Sequence, residues 1–288
     1  MAVTHKGTSG STTTLIDSAS IAQKLDDELK LGNFRVPMLP GVAAEVLASS
    51  LDDKTDAQQL AELIERDQSL AANILRVVNS PAFRGSVEII SLKQASARLG
   101  MERIREIALT VSMQGVFNPG GFEELLSRSW CSALASALWA KEVARFARRN
   151  VELAYLCGLM HNISIPVIAA WLNDAKLVSS ATEELLMQLV QRFCERVAQL
   201  LVIEWQLPTD VLTAISYLRD VDFQAPVEAP SLDLAIVGLG CHLGAQNADH
   251  SVTDLMQLPI VQQLNCYPDD LEALLAKTEN IQSVVEAQ

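Results

Sequence analysis

Apolar residues in this chain recur at three- and four-residue intervals almost from end to end, and no run of alternating apolar and polar residues persists. A period near 3.6 gathers such residues on one face of a helix, whereas a half-buried strand needs a period of two. Leu60, Leu63 and Ile64 form one stripe; Leu70, Ile74, Leu75 and Val78 form another. The pattern predicts an all-α fold. Hydrophobic residues make up 49% of the 288 positions, enough for a large core, and aromatics only 5%.

Breakers and caps divide the chain. Residues 1–14 are rich in Ser, Thr and Gly and read as flexible, and a leader is expected over 1–20. A first helix over Ile21–Leu31 stops at Gly32-Asn33, and Val36-Pro37-Met38-Leu39-Pro40 runs extended because Pro restricts its predecessor. Thr55 and Asp56, each followed three residues later by Gln, have capping-box spacing, as do Ser91 and Gln94. Asp67 can cap the next helix, which Asn79-Ser80-Pro81 ends. Leu99-Gly100 is a stop, and a helix runs from Glu102 to about Phe117. Asn118-Pro119-Gly120-Gly121 is the strongest breaker. It separates an N-terminal helical lobe (21–117) from a bundle (122–222), with helices near 122–149, 151–161, 164–173, 182–205 and, capped by Thr209, 209–219. A loop over Asp222–Pro230 precedes C-terminal helices in 231–288, near 231–246, 251–258, 259–265 and 268–287.

The net charge of −13 repels phosphate backbones and anionic lipid, so neither nucleic acid nor a membrane surface is an expected partner. Arg145, Arg148 and Arg149 read as the solvated end of a helix. Ser91–Leu109 has the outline of a helix-turn-helix, but Met101–Glu106 mixes its charges and suits packing better. Five cysteines (131, 157, 194, 241, 266) make no Cys-x-x-Cys pair and read as small, buried, reduced thiols. No signal-peptide pattern is present and nothing approaches 18 consecutive apolar residues, so a cytoplasmic chain with no transmembrane helix is expected.

Leu156-Cys157-Gly158-Leu159-Met160-His161-Asn162-Ile163 reads like the centre of a metal-dependent phosphohydrolase with one residue changed. Such an enzyme uses an adjacent His-Asp pair to hold a cation that activates water. Asn162 puts an amide, a neutral and much weaker ligand, where the carboxylate belongs.

Several ordered motifs carry a resemblance. They are Met38-Leu39-Pro40-Gly41-Val42, Leu60-Ala61-Glu62-Leu63-Ile64-Glu65-Arg66-Asp67, Ile74-Leu75-Arg76-Val77-Val78-Asn79-Ser80, Ile90–Ala95 with Arg98-Leu99-Gly100, and Trp205-Gln206-Leu207-Pro208. Together they resemble the HDOD domain, the HD-related output domain of bacterial signalling proteins, over roughly Leu31–Gln288. The resemblance implies an HD-like helical bundle with an N-terminal lobe, and a family in which many members have lost metal ligands. It places the first ligand histidine at Cys131, the His-Asp pair at His161-Asn162, and two further histidine positions at Cys194 and Tyr217-Leu218. The chain has only four His, and of these His5, His242 and His250 lie far from the others in sequence.

His161 could be a remnant ligand or base, or a hydrogen-bonded core residue. Cys131 and Cys194 could be soft ligands or plain buried thiols. Glu183 and Glu184 suit the start of a helix. The expectation is a non-catalytic signalling module with no cofactor and no bound metal, taking a signalling protein partner, a small ligand or both. No receiver, GGDEF, EAL or kinase-like segment is visible, so input would come from another polypeptide or a ligand. Two alternatives stand beside it: a metal-dependent phosphohydrolase with an altered site, and a ligand pocket using His161, Asn162 and Tyr217 as polar contacts.

Overall fold

A computed structural model describes residues 18–39, 41–50, 57–83, 87–219, 221, 228–245 and 250–287. Every regular element among them is helical. Helix α1 (Ser18–Leu31) begins inside the stretch expected to be leader; residues 1–17 lie outside the described part. Extended residues 33–39 lead to α2 (Gly41–Ser50), followed by α3 (Ala57–Glu65), α4 (Gln68–Val78), α5 (Leu92–Leu99) and α6 (Met101–Gln114). The Thr55 and Asp56 caps fall outside the described residues.

Local chemistry accounts for most of these helix ends. Asp67 Oδ1 accepts from the amides of Ser69 and Leu70 at 2.9 and 3.0 Å, satisfying donors the first turn leaves open. Ser91 Oγ accepts from Gln94 N, but Gln94 Oε1 reaches past the cap and takes the amide of Ile90 at 2.9 Å. Asn79 does more than stop α4. Its Nδ2 donates to Leu75 O and Ile89 O, and its Oδ1 accepts from Ile89 N, so one amide ties the end of α4 to the approach of α5. Gly100, at φ +80°, turns the chain from α5 into α6 with a backbone most side chains disfavour.

After a 3₁₀ turn at Gly115–Phe117 comes the long α7 (Glu123–Ala147), then α8 (Val151–Met160), α9 (Ser164–Asp174), α10 (Glu183–Glu204), α11 (Thr209–Arg219) and α12 (Leu232–Ala245). Thr209 is the first residue of its helix, one place inside the cap position. Residues 222–227 of the expected loop lie outside the described part. Short α13 (Val252–Leu255) and α14 (Pro259–Gln263) follow, then α15 (Pro268–Leu275) and α16 (Thr278–Glu286). One helix was expected over 268–287. Two form because the chain turns at Ala276-Lys277, where Thr278 Oγ1 caps back onto Leu275 O at 2.6 Å.

The bundle is built round α7, whose small face of Ala133, Ser136, Ala137 and Ala140 is buried. Glycines let α8 and α12 come close to it. A Cβ on Gly158 would lie 2.7 Å from Ala137 Cα, and one on Gly240 2.5 Å from Ala140 N. The stretch Val151–Asp174 is long and apolar enough to cross a membrane by length and composition, a property the sequence reading missed. In the fold 72% of that window is buried, and a turn at 161–163 divides it into α8 and α9.

Polar contacts join N-terminal elements to the bundle in several places, among them Trp205 Nε1 donating to Pro37 O at 3.0 Å and Arg145 paired with Glu102 at 3.1 Å. Helix α1, grouped with the lobe from sequence, packs instead on the bundle: Arg196 of α10 binds Asp26 at 2.6 Å, and Trp171 of α9 donates to Glu28 at 2.6 Å. A surface match between distant segments leaves no local trace, so sequence order misplaced α1. On the other side Lys141 of α7, 1% exposed, is ion-paired with Glu106 of α6, which also takes Arg103 at 2.9 Å. Burial pushes the Lys141 ammonium below its usual range, against the pull of Glu106. Beside it Thr110 Oγ1 and Tyr155 Oη meet at 2.5 Å.

Candidate functional site

The turn after α8 carries His161 and Asn162 into a pocket of about 350 Å³ between α7, α9, α10 and α11. Four positions of α7 face it: Leu125, Arg128, Ser129 and Ser132, an i, i+3, i+4, i+7 set. Helix α9 gives Ser164 and Ile165; α10 gives Met187, Val190, Gln191 and Cys194; α11 gives Ile215, Leu218 and Arg219. Ser164 Oγ donates to Cys194 O at 3.3 Å, tying α9 to α10 beneath the pocket.

His161 Nδ1 lies 2.7 Å from Gly158 O. A carbonyl only accepts, so Nδ1 carries the proton and neutral His161 presents Nε2 as an acceptor. Burial pushes its pKa below the usual imidazole value, favouring that neutral form. Asn162 Nδ2 donates to Ser129 O at 2.8 Å and to Ser129 Oγ at 3.2 Å. The same carbonyl argument fixes which end of the amide is nitrogen. Asn162 Oδ1 is then a buried acceptor with no hydrogen-bond partner among the described residues.

Of the five residues marked from sequence, the fold brings together His161, Asn162 and Cys194. Burial raises the Cys194 thiol, with the Arg219 guanidinium opposing it. Cys131 is not in this pocket, and it is exposed rather than buried. One helical position short of Ser132 is enough to rotate it into another cleft, of about 750 Å³, with Trp139, His250 and α16. Tyr217 also turns away. It packs over Gly238 of α12, while its neighbours Leu218 and Arg219 face the pocket. His250 and buried His242 meet with tilted rings, ring centres 5.3 Å apart, outside the pocket.

The donor set does not fit an HD-type cation site. Among the described residues no three His, Cys, Asp or Glu side chains come together as ion ligands. At the position that needs a carboxylate, Asn162 points its N–H groups at Ser129. The charged residues lining the pocket are Arg128 and Arg219, with no Asp or Glu. Glu183 stays at the rim, accepting from Arg128 Nη2 at 3.2 Å. Sequence reasoning missed both arginines; Arg219 is the i+4 partner of Ile215 on the pocket face of α11.

Comparison with known proteins follows this geometry. A family model described as the HDOD domain matches residues 36–221. An uncharacterized protein of Treponema pallidum (strain Nichols) is 23% identical over 231 residues, 73% of this chain but only 41% of that protein, so the chain spans less than half of that relative's length. A crystal structure from Shewanella amazonensis SB2B, named provisionally as a metal-dependent phosphohydrolase, superposes with a TM-score of 0.65 at 20% identity, covering 94% of this chain and 98% of that one. A provisionally named signal transduction protein from Marinobacter aquaeolei VT8 gives a TM-score of 0.62 at 19% identity, over 96% of this chain and 67% of that one. These likenesses concern the fold. The family match covers well over half of the sequence and takes in helices α2–α6, the His161-Asn162 turn and the Trp205–Pro208 element, and on that ground the chain belongs to the HDOD domain family.

Proposed function

We propose that this chain is a non-catalytic regulatory module of signal transduction, in which the HD-type pocket serves as a ligand-sensing cavity. The observation that carries the reading is the state of Asn162. Its amide is hydrogen-bonded to Ser129, in a pocket whose walls hold no carboxylate. A catalytic divalent ion ordinarily needs three protein ligands and an open position for water. The signal transduction protein of similar fold agrees with this role. A DNA-binding role is disfavoured by α6, whose Ile104, Ile107, Ala108, Leu109 and Met113 are buried.

A second reading, a metal-dependent phosphohydrolase with an altered site, draws on His161 and on the name of the Shewanella protein. Metal analysis of the purified chain separates the two, together with phosphomonoesterase and phosphodiesterase assays in added Mn²⁺ or Mg²⁺. The expected result is no stoichiometric transition metal and no metal-dependent turnover. Stoichiometric metal lost in His161→Ala, or turnover abolished by that substitution, would overturn the proposal.

A further inference from the structure

We infer that the pocket between α7, α9, α10 and α11 receives a small organic anion that also carries a hydrogen-bond donor. The anionic group sits at Arg128 and Arg219, and the donor points at Asn162 Oδ1. The inference rests on the non-catalytic reading above and names the ligand class of that site.

The first argument is charge. The chain has 35 acidic and 22 basic residues, so an arbitrary cleft should be lined by carboxylates. The groove beside Met38 and Trp205 has Glu45 and Glu204, and the cleft below Asn150 has Asp210 and Asp233. The cleft at Cys131 mixes Arg128 and His250 with Glu286. The pocket at Asn162 reverses the bias, its lining charges being two guanidinium groups. Both arginines have carboxylate neighbours: Glu124 at 3.6 Å and Glu183 at 3.2 Å from Arg128, and Glu195 at 3.1 Å from Arg219. The Arg128 pairs are solvated, with the Arg128 side chain 60% exposed and its two partners 81% and 48%; Arg219 and Glu195 are 30% and 50% exposed. Exposed pairs of that kind contribute little, and their carboxylates do not line the pocket. A ligand anion offering a bidentate, charge-assisted contact competes well with them.

The second argument is depth. The two guanidinium groups stand on the partly exposed side, and Asn162, which lines the pocket, carries in Oδ1 a buried acceptor with no donor among the described residues. Inorganic anions cannot fill the space between; apolar Ile165, Val190, Ile215 and Leu218 line it, and its volume of about 350 Å³ suits a small organic molecule. The shape asks for a molecule with an N–H or O–H at one end and a phosphate or carboxylate at the other.

The test uses the full chain and isothermal titration calorimetry with two matched pairs: adenosine 5′-monophosphate against adenosine, and glucuronate against glucose. Each pair differs in its anionic group, and the two pairs separate phosphate from carboxylate. At least one anion should bind saturably in the millimolar range or tighter, and its neutral counterpart about tenfold more weakly. Arg128→Gln should weaken the anion severalfold, Arg128→Lys less, and Arg35→Gln, at an exposed site outside the pocket, not at all. Asn162→Leu should weaken it while leaving the salt dependence in place. Equal binding of both members of each pair, binding indifferent to Arg128→Gln, or no binding by either anion would overturn the inference. Those outcomes leave the non-catalytic reading standing, whereas metal-dependent turnover removes that reading without touching anion binding.

Discussion

At Asn162 one atom decides between two chemistries. The amide donates to a backbone carbonyl 2.8 Å away, which a carboxylate cannot do. In Asn162→Asp the new oxygen would face Ser129 O across that distance, so repulsion and burial both raise the Asp pKa. The loss of the donor should destabilise the fold by about 1–3 kcal/mol at neutral pH. The pH dependence follows from the sign of the shift. The unfolded Asp ionises near pH 3.9, below the folded one, so the deficit is absent in acid and grows as pH rises towards the folded pKa. Thermal melts of variant and parent should nearly coincide at about pH 4 and separate at pH 7. Equal melting temperatures at both would show that residue 162 does not make the Ser129 contact. The same variant should gain no Mn²⁺- or Mg²⁺-dependent hydrolysis, because one carboxylate beside one imidazole gives two ligands at most.

At the scale of elements, two interfaces of α7 carry separable predictions. The crossing with α12 depends on Gly240, where a Cβ would meet backbone atoms 2.5 and 2.6 Å away. Gly240→Ala should therefore cost roughly 1–3 kcal/mol or more by forcing the helices apart. Gly115 has nothing within 4 Å and an ordinary φ of −60°, so Gly115→Ala should be neutral or stabilising by up to about 1 kcal/mol. Denaturant midpoints moving the same way in both would refute the packing argument. At the crossing with α6, Lys141→Ala leaves Glu106 buried with only Arg103 for a partner and should cost about 3 kcal/mol. Lys141→Met with Glu106→Leu should cost less than the two single changes summed. Strict additivity would mean the ion pair is not a coupled unit. Helix ends were legible in the sequence because capping is local: Asp67, Ser91 and Gly100 act within three or four residues of themselves. The turn at Ala276-Lys277 has no Gly or Pro to announce it. The pocket was half legible. His161, Asn162 and Cys194 came from motif spacing, as did Leu218 within the Tyr217-Leu218 pair, but Arg219, and the choice of Ser132 over Cys131 and of Leu218 over Tyr217, depend on helix rotation set by tertiary packing.

For the molecule as a whole, the order of helices along the chain is not their order in space. Helix α1 lies on α9 and α10, the chain then passes through α2–α6, and α6 returns to α7 and α8 at Lys141 and Tyr155. The lobe is thus attached to the bundle at both its ends, and the two should unfold together. Asp26 tests this from the α1 side. Hydrogen bonds from Lys30 first, and then from Arg196, hold its carboxyl below the usual carboxylate range. A depressed folded pKa contributes stability above the unfolded value near 3.9 and loses it as pH falls through the folded one. Asp26→Asn should therefore lower the denaturation midpoint at neutral pH, with the gap to the parent closing in strong acid. Far-UV circular dichroism follows all the helices, while tryptophan fluorescence follows Trp130, Trp139, Trp171 and Trp205 in and around the bundle. If α1 is integral to the bundle, Asp26→Asn moves both transitions by the same amount. A separate early fluorescence step from Trp171, with the main transition left in place, would mean that α1 detaches on its own, and that the lobe stays on the bundle through α6 and the Trp205–Pro37 contact.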